Sequence, residues 1–244
     1  MKKKYTHLFF DLDNTLWDFK TNSKLAMQIT FARFELERKQ IDFDTYYNVF
    51  EKHNHALWES YRKNEVDKKE LIKRRFSDTF LELKVKGPEA EEINAFYLDE
   101  MAKQKILYPG VLELLSDLKE KQYRLNIITN GFKEVQNKKM EFSGLKEFFD
   151  KIFTSEEVKR PKPAREIFEH AIKSSNAKKE KSIMIGDDWD VDIAGALNFG
   201  IDAVYIGNCL NNDFVDKQKS IKAIKNVYCF ETIKKMHNFF SRQC

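Results

Sequence analysis

Residues 6–15 of this 244-residue chain read THLFFDLDNT, a short apolar run that leads into two acids. The run Thr6–Asp11 predicts a short buried β-strand, because its middle is apolar at every position. Asp11 and Asp13 lie two residues apart, so an extended backbone points both carboxylates to the same side. The stretch therefore predicts a core strand that carries a pair of acids at its carboxyl end.

The segment that follows has helical periodicity and no strand pattern as far as Pro109. Its apolar residues predict four amphipathic helices, which begin near Ser23, near Phe43, at Asp67 and at Glu89. Asp67 and Glu70 can form a capping box at the third of these starts. Four such helices in succession favour a small bundle inserted after the first strand.

Beyond Pro109 the chain alternates short apolar runs with amphipathic stretches of helix length. The runs that predict strands are Tyr123–Thr129, Lys151–Thr154, Ser182–Ile185, Ala203–Ile206 and Val227–Phe230. Such alternation predicts an α/β fold with a doubly wound, Rossmann-like parallel sheet and helices on both faces. We expect an α/β core formed by residues 1–18 and 105–244, and a helical domain at residues 19–104.

Composition and charge argue against several classes of protein. Apolar residues make up 42% and charged residues 34% of the chain, as in a globular protein with a sizeable core. The net charge of +4 and the shortness of the basic runs argue against nucleic-acid binding. No window approaches the roughly 18 apolar residues of a membrane span, and the first apolar run is too short for a signal peptide. Cys209, Cys229 and Cys244 lack CxxC spacing and favour free thiols in the cytoplasm.

Polar residues follow four of the predicted strands, at the end where doubly wound sheets bind ligands. They are Asp11 and Asp13 with Asn14-Thr15, then Thr129-Asn130-Gly131, then Lys162, and finally Gly186-Asp187-Asp188 with Asp192 close behind. Clustered carboxylates repel one another, which raises a pKa or favours a bound cation. Oxygen ligands without a nearby His or Cys favour Mg²⁺ over zinc.

These residue types suit phosphoryl transfer. Asp11 can attack phosphorus to form an aspartyl-phosphate, and Asp13 can protonate the leaving oxygen and later deprotonate water. The Thr129 hydroxyl and the Asn130 amide can hold nonbridging oxygens, while Lys162 supplies positive charge.

Each motif also has an ordinary structural explanation. Asp11–Thr15 resembles the start of a calcium loop, but the sixth and twelfth positions are Leu16 and Asn22 where that loop needs Gly and Glu. Asn130-Gly131 is typical of a turn, and Asp192 alone would be an acid at a helix start. Their order, and their shared place at strand ends, favour a single catalytic site.

Together these motifs resemble those of the haloacid dehalogenase superfamily of phosphohydrolases, over nearly the whole chain. The matching segments are DLDNT (Asp11–Thr15), Thr129 after Asn126-Ile127-Ile128, Lys162-Pro163 and GDDWDVD (Gly186–Asp192). The resemblance implies that Asp11 is the nucleophile and a magnesium ligand. It implies that Asp13 is the acid and base and binds the metal through its backbone carbonyl. It also implies that Thr129 and Lys162 bind phosphate, that Asp187 is a metal ligand and that Asp192 supports the site.

Two positions depart from the family's pattern. Relatives often have Gly-Val-x-Lys-Pro where this chain has Lys159-Arg160-Pro161-Lys162-Pro163, and counting back from Ile167-Phe168 favours Lys162 over Lys159. Asp188 stands where a serine is common. It could hydrogen-bond within its own loop or contact the metal shell, and the sequence leaves both open.

The inserted helices resemble the helical cap of this superfamily, which closes over the active site. The segments Asn54–Tyr61, Arg75-Phe76 and Leu16–Phe19 are similar to a pyrimidine 5'-nucleotidase branch, which implies nucleoside monophosphates as substrates. Aromatic residues at helical spacing, such as Trp58 and Phe76, are more typical of a helix-bundle core than of a substrate site.

Several other functions share parts of this pattern. A sugar-phosphate or phosphoglycolate-type phosphatase, or a phosphomutase, of the same superfamily has overlapping motifs. A dehalogenase uses the same nucleophile without magnesium and ordinarily lacks the second aspartate, so Asp13 argues against it. A transport ATPase needs membrane helices, and a scaffold or nucleic-acid binder would have lost catalytic carboxylates. We therefore expect a monomer or homodimer that acts on a small-molecule phosphate monoester, without nucleic acid or membrane.

Overall fold

The computed structural model describes residues 4–210, 216 and 226–242. The chain divides into two compact units, one comprising residues 1–19 and 105–244 and the other residues 20–104. They are called here the sheet unit and the helical unit.

The helical unit is built from four helices: α1 (Phe19–Arg33, whose first residue belongs to the sheet unit), α2 (Phe43–Arg62), α3 (Lys68–Glu82) and α4 (Ala90–Lys103). The capping box predicted from Asp67 and Glu70 is present at the start of α3. Aromatic rings fill the core, where the ring centroid of Phe50 lies 5.0 Å from that of Phe76 and 5.4 Å from that of Tyr97. Phe76 is therefore a core residue.

The core of the helical unit also holds a positive charge. Arg75 is 2% exposed, and its guanidinium donates to the side-chain oxygens of Asn94 (Nε, 2.8 Å) and Asn54 (Nη1, 3.3 Å). The ring of Tyr97 lies 5.3 Å from the guanidinium carbon. Among the described residues no carboxylate forms an ion pair with Arg75, so amide oxygens and aromatic faces replace water around this charge.

Six parallel strands form the sheet in the described part of the other unit, in the order β3-β2-β1-β4-β5-β6. Their bounds are His7–Phe10 (β1), Arg124–Thr129 (β2), Lys151–Thr154 (β3), Ser182–Gly186 (β4), Asp202–Ile206 (β5) and Val227–Phe230 (β6). The predicted α/β fold with a doubly wound parallel sheet is confirmed. Leu8, Phe9 and Phe10 are fully buried, which explains why β1 has no polar alternation.

In the described part of the sheet unit, helices lie between the strands along the chain and after the last of them. They are α5 (Val111–Glu120), α6 (Lys133–Phe142), α7 (Ser155–Val158), α8 (Arg165–Ser174), α9 (Ala194–Phe199) and α10 (Ile233–Ser241). A cluster that includes Phe9 of β1, Phe168 of α8 and Ala196 of α9 forms the hydrophobic core. In the part of the chain that the structure describes, no helix has both the length and the apolar character needed to cross a membrane.

The pairing register brings the ends of three strands together. Phe10 of β1 pairs with Ile127 of β2 on one side and with Ile185 of β4 on the other. The strand order reverses beside β1, because β2 and β3 lie on one side of it and β4 on the other. Doubly wound sheets bind ligands beyond the carboxyl ends of the strands at such a reversal.

A disulfide joins Cys209, in the loop after β5, to Cys229 of β6, with a Cα–Cα distance of 5.8 Å. The prediction of free thiols is wrong for this pair. Parallel pairing sets Cys229 opposite Tyr205 at the end of β5, so two cysteines that are 20 residues apart in sequence become neighbours. The third cysteine, Cys244, lies outside the described residues.

Candidate active site

Asp11 stands at the carboxyl end of β1. Its backbone N–H donates to the carbonyl of Ile185 at 2.8 Å, so the residue is still held against β4. The side chain is mostly buried, and its Oδ1 accepts a hydrogen bond from Lys162 Nζ at 2.6 Å. Burial raises the pKa of Asp11 well above its ordinary value, and the positive charge of Lys162 offsets only part of this rise.

Lys162 lies in the loop between α7 and α8 and is 1% exposed. Besides Asp11, its ammonium contacts Asp192 Oδ1 at 2.7 Å and the carbonyl of Ile128 at 2.8 Å. Burial lowers the pKa of Lys162, but Asp11 and Asp192 together raise it further, so the net shift is upward. Lys159, the other lysine that the sequence offered, is exposed. The structure thus places Lys162 against the nucleophile candidate.

Thr129 and Asn130 follow β2 and have different partners. Thr129 is buried, and its Oγ1 accepts hydrogen bonds from Gly131 N at 3.1 Å and Gln136 Nε2 at 2.7 Å, so its own proton can be donated to a ligand. The Asn130 amide instead donates to the Lys162 carbonyl at 3.0 Å and accepts from the Lys162 N–H at 2.8 Å. These two hydrogen bonds position the Lys162 loop, and the expectation that the Asn130 amide also holds phosphate oxygens stays a prediction.

Asp187 and Asp192 form a carboxylate cluster with Asp11, in which one oxygen of each residue lies within 4.8 Å of the others. Thr15 Oγ1 donates to Asp187 Oδ1 at 3.0 Å and lies 3.5 Å from Asp11 Oδ2. Burial, reinforced by the charge of Asp192, raises the pKa of Asp187 to about 7. Burial also raises the pKa of Asp192.

This cluster fits a hard divalent cation. It offers carboxylate oxygens from three residues, and no His or Cys belongs to it among the described residues. Asp192 approaches closely because Gly186 has no side chain: a Cβ there would lie 2.3 Å from Asp192 Oδ2. Asp11 and Asp187 are thus available to a metal ion such as Mg²⁺, while Asp192 is already paired with Lys162.

Asp188 has a structural partner set within its own loop. Its Oδ1 accepts hydrogen bonds from the backbone N–H groups of Asp190 and Val191, each at 3.0 Å. Its own N–H donates to Asp192 Oδ2 at 3.2 Å. Of the two roles that the sequence left open, the contacts favour the one within the loop, where Asp188 caps the turn Trp189–Ile193.

The carboxylate of Asp13 contributes no oxygen to the cluster that the described residues form. It accepts hydrogen bonds from two side chains of α6, Gln136 Nε2 at 2.9 Å and Lys139 Nζ at 2.7 Å. Burial lowers the pKa of Lys139, and the charge of Asp13 offsets part of this change. Metal binding through the Asp13 backbone carbonyl stays a prediction.

Sequence reasoning missed three residues of this site: Thr15, Gln136 and Lys139. Thr15 lies within the DLDNT motif, which indicates its proximity. Gln136 and Lys139 are 1% exposed on an otherwise amphipathic helix, next to the buried Val135 and Met140. Polar residues at the buried positions of the helix that follows Thr129-Asn130-Gly131 are the signal that indicates them.

A family model described as haloacid dehalogenase-like hydrolase matches residues 5–200. The chain belongs to this family. This haloacid dehalogenase-like hydrolase is 32% identical to the pyrimidine 5'-nucleotidase PynA of Streptococcus pneumoniae, over 82% of this chain and 83% of that protein. It is 31% identical to the pyrimidine 5'-nucleotidase YjjG of Escherichia coli, over 81% of this chain and 84% of that protein.

Among solved structures, this hydrolase is similar to YfnB of Bacillus subtilis, which was solved bound to magnesium. The TM-score is 0.79 with 25% sequence identity, and the match covers 98% of this chain and 100% of that one. The family and the named relatives identify the chain as a phosphoric monoester hydrolase.

Proposed function

We propose that this hydrolase is a Mg²⁺-dependent 5'-nucleotidase that cleaves pyrimidine nucleoside monophosphates through an aspartyl-phosphate on Asp11. The observation that carries the mechanism is the 2.6 Å contact between Asp11 and Lys162 beside the carboxylates of Asp187 and Asp192. Two relatives named pyrimidine 5'-nucleotidases, each matched over more than four-fifths of this chain, support the nucleotide preference.

In the first step, a carboxylate oxygen of Asp11 bonds to phosphorus while the bond from phosphorus to the ester oxygen breaks. The ester oxygen takes a proton from the Asp13 carboxyl group and leaves as the nucleoside hydroxyl. Lys162 and the Thr129 hydroxyl stabilise the negative charge on the remaining phosphoryl oxygens. Asn130 contributes by holding the backbone of Lys162 in place.

In the second step, a water oxygen bonds to phosphorus while the bond from phosphorus to Asp11 breaks. The Asp13 carboxylate takes a proton from this water, which restores Asp13 for the next turnover and releases inorganic phosphate. Splitting one difficult displacement into two easier ones is the advantage of a covalent intermediate.

Asp11 and Asp187 would hold Mg²⁺, together with the Asp13 backbone carbonyl, and Asp192 and Asp188 would support this site from their loop. When bound, the ion supplies positive charge that allows an anionic carboxylate and an anionic phosphate to approach each other. The raised pKa values of Asp11 and Asp187 fit this assignment, because they reflect negative charge that a cation relieves.

Phosphate release from a panel of substrates tests the proposal. The panel contains UMP, dUMP, dTMP, AMP, 2-phosphoglycolate and sugar phosphates, each measured with Mg²⁺ and again with EDTA. We expect kcat/KM to be about tenfold or more higher for the pyrimidine nucleotides, and EDTA to abolish all release. A higher kcat/KM for a sugar phosphate or for 2-phosphoglycolate would show that the substrate is that compound and not a nucleotide. Conversion of a sugar 1-phosphate without release of inorganic phosphate would indicate a phosphomutase. No release from any member by folded protein would refute the proposal.

We propose the cytoplasm as the site of action, and a monomer or homodimer as the working form. The disulfide of Cys209 and Cys229 removes the argument from free thiols and argues against this location, because disulfides are rare in cytosolic proteins. The proposed substrate supports the cytoplasm. A charged nucleotide does not cross a lipid bilayer unaided, so an enzyme that acts on it must be in the compartment where the nucleotide is made. Cell fractionation tests the location, and light scattering of the purified protein tests the oligomeric state.

A further inference from the structure

Two buried side chains of α6 hold the carboxylate of Asp13 from one side. Gln136 Nε2 donates to Asp13 Oδ2 at 2.9 Å, and Lys139 Nζ donates to Oδ1 at 2.7 Å. Because the two donors lie three residues apart, they project from the same face of the helix. Each carboxylate oxygen thus has its own donor, which fixes the rotation of the carboxylate plane.

Gln136 also ties Asp13 to the phosphate-binding candidate Thr129. The same amide nitrogen lies 2.7 Å from Thr129 Oγ1. A Cβ on Gly131 would lie 2.5 Å from Gln136 Cδ, so a glycine is needed for this amide to reach both partners. One side chain therefore sets the spacing between the residue expected to transfer protons and the residue expected to bind phosphate.

Lys139 is held from its other side by aromatic rings. Its ammonium lies 4.2 Å from the ring centroid of Trp17 and 5.3 Å from that of Phe19. Trp17 is fully buried, and bridges to Asp13 and Leu107 hold its backbone. The ammonium therefore lies between the rings of Trp17 and Phe19 on one side and the Asp13 carboxylate on the other.

Stability alone does not account for this arrangement. The Asp13 side chain is 25% exposed and can be solvated by water, whereas the Lys139 side chain is 2% exposed. Burial of a lysine charge is unfavourable, and an ion pair in the interior seldom offsets that cost with a net gain over apolar residues. We therefore expect an apolar side chain at position 139, packed against Trp17, to stabilise the fold about as well as Lys139 does.

We propose that Gln136 and Lys139 are positioning residues that orient the Asp13 carboxyl group for proton transfer to the leaving oxygen and from water. This inference rests on the proposed phosphatase mechanism with Asp13 as acid and base. Proton transfer requires hydrogen-bond reach between donor and acceptor, so a carboxyl group that rotates freely loses much of its effect.

The leaving group of the substrate separates this role from a structural one. UMP needs a proton on its leaving oxygen, whereas 2,4-dinitrophenyl phosphate releases a stable anion and needs none. For Lys139→Met and for Gln136→Leu, we expect kcat/KM to fall by about 10–100-fold with UMP and by no more than about threefold with the dinitrophenyl ester. With the ester, hydrolysis of the aspartyl-phosphate still requires Asp13 as base, so this second step becomes slower in the variants. Both kcat and KM should therefore fall, while their ratio changes little.

Three further variants complete the experiment. Lys138→Met changes the exposed neighbour on the same helix and should leave kcat/KM for both substrates unchanged. Lys139→Arg keeps a donor toward Asp13 and should recover most of the loss. In an Asp13→Asn background, Lys139→Met should have no further effect on UMP cleavage, because the group that it positions is gone.

Equal losses of kcat/KM with both substrates, or no loss with either, would overturn the inference. If Lys139→Met does not fold, Gln136→Leu and Lys139→Arg carry the same test. Wild-type protein that cleaves neither substrate would instead refute the proposed function. Wild-type protein that cleaves both, with variants that do not discriminate between leaving groups, would refute only the positioning role.

Discussion

The helical unit and the sheet unit both bury cationic side chains, but they surround them with different partners. In the helical unit, neutral oxygens of Asn54 and Asn94 accept the hydrogen bonds of Arg75. In the sheet unit, Lys162 contacts the carboxylates of Asp11 and Asp192. The first arrangement satisfies a charge with dipoles, and the second places ions of both signs in contact.

The difference lies in the balance of charge. Amide oxygens satisfy Arg75 without bringing negative charge, so that the core of the helical unit needs no further ion. The cluster of Asp11, Asp187 and Asp192 brings three carboxylates to the single ammonium of Lys162, which leaves an excess of negative charge. The excess is relieved by protons, as the raised pKa values indicate, or by a cation. Unbalanced buried charge of this kind is typical of a functional site.

The largest effect is expected from Asp11→Asn. This substitution removes the nucleophile and one of the three negative charges in the carboxylate cluster. Turnover of UMP should fall by about 10⁴-fold or more, because an amide cannot form the aspartyl-phosphate. The fold should persist, since Asn has nearly the same shape and Lys162 keeps Asp192 as a partner. Phosphate release and circular dichroism check the two halves of this prediction. Near-normal turnover would show that the nucleophile is misassigned.

A smaller effect, on stability, is expected from Arg75→Met in the helical unit. The substitution removes the donors that satisfy the amide oxygens of Asn54 and Asn94, so the free energy of unfolding should fall by about 2–4 kcal/mol. Urea denaturation measures the change, and Lys73→Met, at an exposed position of α3, serves as the control. An unchanged midpoint would mean that the buried guanidinium is dispensable to this core.

The smallest effect, opposite in sign, is expected from Asp187→Asn in the presence of EDTA. The pKa of Asp187 is raised to about 7 in the folded protein, so its ionised form destabilises the fold, and this penalty grows as the pH rises from about 4 to about 7. Above that range, Asn should increase the free energy of unfolding by about 1–2 kcal/mol, because water screens part of the repulsion at a side chain that is not fully buried.

Urea denaturation of Asp187→Asn and wild type at pH 4.5 and pH 8 checks this prediction. The gain should be small at pH 4.5, and stabilisation by added Mg²⁺ should be weaker in the variant than in wild type. If Asp187→Asn lowered the free energy of unfolding at pH 8, the carboxylate cluster would not carry the excess of negative charge that distinguishes the sheet unit from the helical unit.

The sheet and its order along the chain were predictable from local patterns. β1 has a continuous apolar run because both of its faces are buried, and the Asp67–Glu70 box marks the start of α3. The first helix was less predictable. It begins at Phe19, before the predicted start near Ser23, because its first turns bury the polar Asn22 and Ser23, which apolar periodicity does not count.

By itself, the sequence determined the parallel α/β sheet and the candidate residues Asp11, Asp13, Thr129 and Asp187, because polar motifs that directly follow parallel strands meet at one edge of a sheet. Lys162, in the loop between α7 and α8, was indicated by its motif instead. Only the tertiary structure decided which partner each side chain takes. It assigned Asn130 to the Lys162 backbone, Gln136 and Lys139 to Asp13, and Cys209 to Cys229. Such choices depend on which side chains the packed helices and strands bring within hydrogen-bond distance, and a local sequence pattern does not specify that.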